Sequence, residues 1–236
     1  MLPDAARSHE EAVVMPEITA LTPSKRHKGR LHIYIDGRFM ASVDAMTIAL
    51  HGLKVGQRLG DAALNTLERE AVHTRLVDRC LHFLSYRQRS EAELQNYLRR
   101  QEATPEQGDA VLADLRRQNL VDDEAFAKFW RESRDRFAPR GEGMLQAELR
   151  AKGVAAEVVA GVLPDAEEEE ILARRAGERH LRQLRAAPWP EFRTRMLSYL
   201  QRRGFRYEVA NRTTRELWAA ERREAAADAD DDGDAC

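Results

Sequence analysis

Arginine is the residue type in this chain whose spacing could do chemistry. Arg131, Arg134, Arg136 and Arg140 cluster at i, i+3 and beyond and run into a break at Pro139–Gly143. Arg87 and Arg89 precede a serine-led helix start, Arg99 and Arg100 close that helix, and Lys152, Arg202, Arg203 and Arg206 lie at or just beyond two later helix ends. Residues 171–217 hold twelve arginines against four glutamates, and residues 18–60 hold seven lysines and arginines against two aspartates. Clusters of this kind neutralise phosphates or carboxylates. Each phosphate contact releases counterions, so such binding weakens steeply with salt. For any single arginine the plainer reading is a solvated helix face paired with nearby glutamates. Taken together, the clusters favour contact with DNA or with acidic patches on a protein.

Other chemistries find little support. Neither common glycine-rich phosphate loop is present. Seven histidines are scattered, and His73, His82 and His180 lack a histidine one turn on, so metal ligation is not expected. Asp122-Asp123 could form an acid/base pair, but two acids opening a helix are explained by capping its free amides. Cys80 sits in an apolar stretch, Cys236 ends the chain, and neither has a CxxC neighbour. Neither an enzyme nor a cofactor is expected. Trp130, Phe126, Phe137, Phe205 and Tyr207 lie close to basic residues, where bases could stack; Trp130 and Phe126 share a helix stripe and read as core.

The overall charge of −2 conceals an uneven distribution. Residues 1–17 and 221–236 are acidic, which leaves residues 18–220 with a surplus of six basic groups. No apolar run approaches membrane-spanning length, and the first residues lack a basic-then-apolar leader. A monomer in the cytoplasm or another reducing compartment is expected.

The basic residues must be held by mostly helical elements. Residues 1–17 show no period and are expected to be disordered. In residues 18–60, Leu31, Ile33 and Ile35 alternate with polar residues, Asp36-Gly37 follows, and a second β-prone run covers 38–43; Asp-Gly there predicts a hairpin turn. Ile18–Leu21 could add a third strand. The turn at 25–30 is basic. From Asp61 the period becomes helical. Ser90-Glu91-Ala92-Glu93 is a capping box, and Thr104-Pro105-Glu106-Gln107 a second start signal. The alanine- and aspartate-rich segment 220–236 is expected to be disordered.

The middle helices repeat. Leu94-x-x-x-Leu98, Leu145-x-x-x-Leu149 and Met196-x-x-x-Leu200 each precede a basic helix end, and the last leucines are 51 residues apart in both intervals. Gly153 and Gly204 are placed to stop two of these helices in the left-handed conformation. Three three-helix units follow, over 61–120, 121–165 and 166–219. The fold expected is mainly α, with tandem three-helix repeats in an elongated curved array and a small N-terminal β-hairpin.

Four segments resemble the RecX family: Phe83–Leu94 with its Arg87-Gln88-Arg89-Ser90 run, Asn119–Ala127 with Leu120-Val121-Asp122-Asp123-Glu124, Glu148–Val154, and Leu200–Phe205 with Arg203-Gly204-Phe205. The likeness covers roughly residues 18–217 and departs at Gln101-Glu102, where the other two repeats carry glycine. The resemblance implies tandem three-helix repeats and a non-enzymatic regulator that binds RecA along its filament on DNA. It implies restraint of filament growth, strand exchange, ATP hydrolysis and coprotease activity, and hence a place in DNA repair, recombination and the SOS response. On that reading the candidate contacts are Arg87, Arg89, Arg99, Arg100, Arg131, Arg134, Arg140, Lys152, Arg202, Arg203 and Arg206. A stand-alone protein that binds single- or double-stranded DNA is the alternative.

Overall fold

The computed structural model describes residues 15–25, 28–185 and 187–231, with side chains as far as residue 224. Most of the N-terminal segment expected to be disordered, two residues of the basic turn, and the last five residues lie outside this range. The chain divides into two compact units, one of residues up to 86 with 98–111, the other of 87–97 with 112 onward.

In the first unit the alternating run becomes β2 (Arg30–Ile35), flanked by β1 (Ile18–Pro23) and β3 (Arg38–Asp44) in an antiparallel sheet of order β1-β2-β3. Asp36 and Gly37 both have positive φ, 49° and 78°, as a two-residue hairpin turn between right-twisted strands requires. A hairpin alone would be marginal in water. The third strand widens it, and the inner face buries Ile18, Ile33, Ala41 and Val43 with Leu53, Leu59 and Leu67. Leu67 belongs to α2 (Asp61–Ser85), which follows the short α1 (Ala45–Leu50). A bidentate Arg30–Asp78 pair ties β2 to α2.

The remaining helices are α3 (Glu91–Arg100), α4 (Pro105–Arg117), α5 (Asp123–Phe137), α6 (Glu142–Ala151), α7 (Ala156–Ala160), α8 (Ala166–Leu181), α9 (Trp189–Arg202) and α10 (Tyr207–Asp231). With the end of α2 they form three three-helix modules, α2–α4, α5–α7 and α8–α10. The start signals read from sequence are present. The Ser90 hydroxyl accepts from the Glu93 amide at 3.2 Å while Glu93 accepts from the Ser90 amide. Asp122 caps α5 through the amides of Glu124 and Ala125. The second module closes over Phe126, Ala127, Leu145, Leu149, Val154, Val159 and Val162; the third closes over Leu172, Phe192, Met196, Leu200, Phe205 and Leu217.

One expectation needs correcting. Helix α10 does not stop at residue 219 but continues to Asp231, into the segment expected to be disordered. Alanine is the best helix former, and residues 219–227 are alanine-rich. The extension begins from an anchored stretch, where Arg185 pairs with Glu221 at 3.1 Å and Arg222 lies 4.4 Å from the Trp218 ring centre.

Within the second unit, two junctions share one plan. Gly153 and Gly204 end α6 and α9 with φ of 77° and 86°. The start of the preceding module's middle helix seats on each of these turns. At the first junction the Ser90 hydroxyl donates to the Lys152 carbonyl at 2.6 Å. At the second the Gly141 amide donates to the Arg203 carbonyl at 2.9 Å. An acid from the following module then accepts the first helical amide: Asp123 from Glu91 at 2.8 Å, and Glu169 from Glu142 at 3.4 Å. The Asp122-Asp123 pair is thus divided between two helix starts.

Candidate polyanion-binding surface

Five of the basic residues singled out from sequence gather around two carboxylates in the second unit. Arg87 grips Glu93 with both nitrogens, at 2.8 and 3.0 Å, and Lys152 reaches the same carboxylate at 2.8 Å. Glu148 accepts from the Trp130 indole at 2.9 Å and from Arg134 at 2.7 Å, with Arg140 at 3.4 Å. Trp130 links the two groups. The Arg134 guanidinium lies 4.6 Å from its ring centre and the Lys152 ammonium 5.1 Å, both within cation–π range. Arg89 completes the set beside Arg87. Four of these cations pair with the two acids, so positive groups outnumber negative ones around Trp130.

The electrostatics follow from this crowding. Burial would push the Glu93 carboxyl up, but the hydrogen bonds and charges of Arg87 and Lys152 prevail and hold it down at about 2. Arg89 is shifted downward, first by burial and then by the like charge of Arg87.

The other candidates divide by role. Arg131 bonds to Glu168 at 2.7 Å and to the Val162 carbonyl at 3.2 Å, and so binds α5 to the following module. Arg206 is latched onto the fully buried Glu169 at 2.6 Å. That contact raises its pKa and gives a buried carboxylate its counter-charge. Arg203 donates to the Pro139 carbonyl at 3.4 Å and lies 4.7 Å from the Tyr199 ring centre. Arg202 is exposed on the last turn of α9, and no ion pair holds it among the described residues. Arg99 and Arg100 are exposed on the last turn of α3 and belong to the other unit.

Of the aromatic residues near basic ones, Phe126 and Phe205 are core, Trp130 is half-buried, and Phe137 and Tyr207 are exposed.

Sequence reasoning missed a second group. His180 of α8 stacks on Tyr199 of α9 at 3.9 Å, with planes 8° apart. Its pKa is lowered, first by burial and then by Arg195, Arg202 and Arg203. Reading histidines for metal partners could not find this pair, because its members lie on different helices. Also missed were Arg175, Arg179 and Arg182, whose i, i+4, i+7 spacing along α8 and its C-cap was legible. Among the described residues no group of three potential metal ligands occurs, and no helix is long and apolar enough to cross a membrane.

Comparison with known proteins matches four family models along the chain. They are the regulatory protein RecX N-terminal domain over residues 16–60 and the RecX first, second and third three-helix domains over 77–115, 122–163 and 167–213. The regulatory protein RecX of Listeria monocytogenes is 25% identical over 202 residues, covering 85% of this chain and 75% of that one. That of Oceanobacillus iheyensis is 32% identical over 161 residues, covering 66% and 59%. That of Bacillus subtilis is 28% identical over 197 residues, covering 83% and 75%. A crystal structure of regulatory protein RecX superposes with a TM-score of 0.67 at 24% identity, over 83% of this chain and 97% of that one. The structure of RecX from Lactobacillus salivarius gives 0.55 at 16%, over 62% and 96%. Both likenesses support the fold.

Proposed function

The chain belongs to the RecX family, a family of regulatory proteins, and from that premise we propose that it binds RecA and its filament on DNA and restrains recombinase, ATPase and coprotease activity. It acts by contact rather than by catalysis, as a monomer in the cytoplasm, and serves DNA repair, recombination and the SOS response. The observation that carries this reading is the cationic cluster, in which Arg87, Arg134, Arg140 and Lys152 outnumber Glu93 and Glu148 on a surface built by module packing. Modules that each contribute exposed cations, Arg99 and Arg100 in one and Arg202 in another, can engage successive sites on a repeating partner. Modest affinities then combine through effective concentration.

The deciding experiment is RecA-catalysed ATP hydrolysis on single-stranded DNA with increasing amounts of this protein, paired with electron microscopy of the filaments. Slower hydrolysis and shorter filaments at stoichiometric protein are expected. Unchanged activity and filament length would overturn the reading. The exposed cations at helix ends favour one alternative, a protein that binds DNA on its own; tight duplex binding without RecA, lost at high salt, would mark it.

A further inference from the structure

Phe137 is the last residue of α5 and 72% of it is exposed, although its backbone is pinned. Arg179 of α8 donates one nitrogen to the Phe137 carbonyl at 2.7 Å and another to the Arg136 carbonyl at 2.9 Å. These are orphan acceptors at a helix C-terminus, where a cation also meets the negative end of the dipole. Two residues on, Arg203 donates to the Pro139 carbonyl at 3.4 Å, and Pro139 is buried. A large apolar ring is therefore carried into solvent on backbone fixed from both sides. Its docked position costs little further ordering.

The surroundings of the ring are basic. The Arg136 guanidinium lies 6.0 Å from the ring centre. Beside Arg179 opens a hollow of about 430 Å3 lined by Arg175, Glu178, Arg179 and Arg182. Glu178 is engaged by Arg174 at 3.4 Å. Arg136, Arg175 and Arg182 are exposed, and their planar forks suit carboxylates in two-point contact. An exposed aromatic with Arg136 beside it, anchored next to an arginine-lined hollow, has the composition of a binding hot spot.

We infer that Phe137, with Arg136 beside it and the hollow lined by Arg175 and Arg182 next to its Arg179 clamp, is a protein-docking anchor whose partner presents an apolar socket edged with acidic side chains. A protein socket fits these observations better than a nucleic-acid strand. A strand needs successive aromatic faces and a continuous track of available cations. Among the described residues no other aromatic ring packs on Phe137, Arg179 is committed to two carbonyls, and a glutamate lines the hollow. The inference rests on the RecA reading and assigns this surface to the protein component of the filament.

The test uses the full chain, with Phe137→Ala, Phe137→Trp and the double reversal Arg175→Glu/Arg182→Glu. Each is titrated onto RecA filaments assembled on oligothymidine and, separately, onto bare oligothymidine. Phe137→Ala should weaken filament binding about 10- to 30-fold, Phe137→Trp should restore most of it, and the double reversal should weaken it similarly. Thermal melts of the Phe137 variants should match the parent protein, since that side chain is exposed. Parent protein that fails to bind filaments would sink the RecA reading, and the anchor with it. Parent protein that binds while Phe137→Ala binds equally well would overturn the anchor alone. A parallel loss of affinity for bare oligothymidine would make the ring a base-stacking platform instead.

Discussion

The backbones of Gly141 and Gly204 touch: a Cβ on Gly141 would overlap the carbonyl of Gly204, and one on Gly204 would overlap Met144. Two module segments distant in sequence meet where neither has a side chain, and the Gly143 amide donates to the Gly204 carbonyl at 3.2 Å. At the other junction Gly153 faces the methyl of Ala92 just as closely. These contacts replace water with backbone hydrogen bonds and leave no space for adjustment.

Gly204→Ala should therefore lose about 2–4 kcal/mol of stability, combining left-handed strain with overpacking. Gly56→Ala is the control. Its φ is also positive, at 87°, but nothing lies within 4 Å of the added methyl, so only the strain of about 1–2 kcal/mol should appear. Urea denaturation of the two variants separates the contributions. Equal losses would show that the junction is not tightly packed.

Glu102 holds the same place in the first module that glycine holds in the others, and its φ is +61°. The turn is conserved in geometry, but the residue is exposed, so only strain opposes a side chain. Glu102→Gly should stabilise the protein by about 0.5–1 kcal/mol, whereas Gly153→Ala should destabilise it. A change of the same sign in both would contradict this account.

Glu93 gives the protein an acid-sensitive joint. Its pKa is held at about 2, below its ordinary value of 4.5. The folded state therefore binds the proton less readily than the unfolded state. The stabilisation is complete above about pH 4.5 and is lost as pH falls toward 2, and it amounts to on the order of 2 kcal/mol. Glu93→Gln should flatten the acid limb of a stability–pH profile in that window and leave Lys152 without its carboxylate partner. An unchanged acid limb would disprove the assignment.

Charge reversal should separate contact from latch. Arg202→Glu should leave the melting temperature nearly unchanged and reduce the salt slope of polyanion binding by about one. Arg206→Glu should instead cost about 3–5 kcal/mol, because the fully buried Glu169 loses its counter-charge. Melting curves alongside salt titrations with heparin would check both. Loss of stability in the first, or none in the second, would reverse the roles assigned.

Much of the fold was legible in the residues. Alternation at Leu31, Ile33 and Ile35, Asp36-Gly37, the Ser90–Glu93 box and the glycines at 153 and 204 are local devices, each acting over a few residues of chain. They identified the sheet, the helix starts and the repeat. The extension of α10 was misread because acidic composition was weighed above the helix propensity of alanine next to a packed helix.

The site was legible only as a list of arginines. Their types and helix positions come from local sequence, but whether Arg206 is a latch and Arg202 a free cation depends on which carboxylates arrive from other helices. Glu169 lies 37 positions before Arg206, and Glu93 lies 59 before Lys152. Pairing of this kind is decided by the packing of modules, since the Coulomb and hydrogen-bond terms that commit a charge act over a few ångströms of space and are blind to distance along the chain.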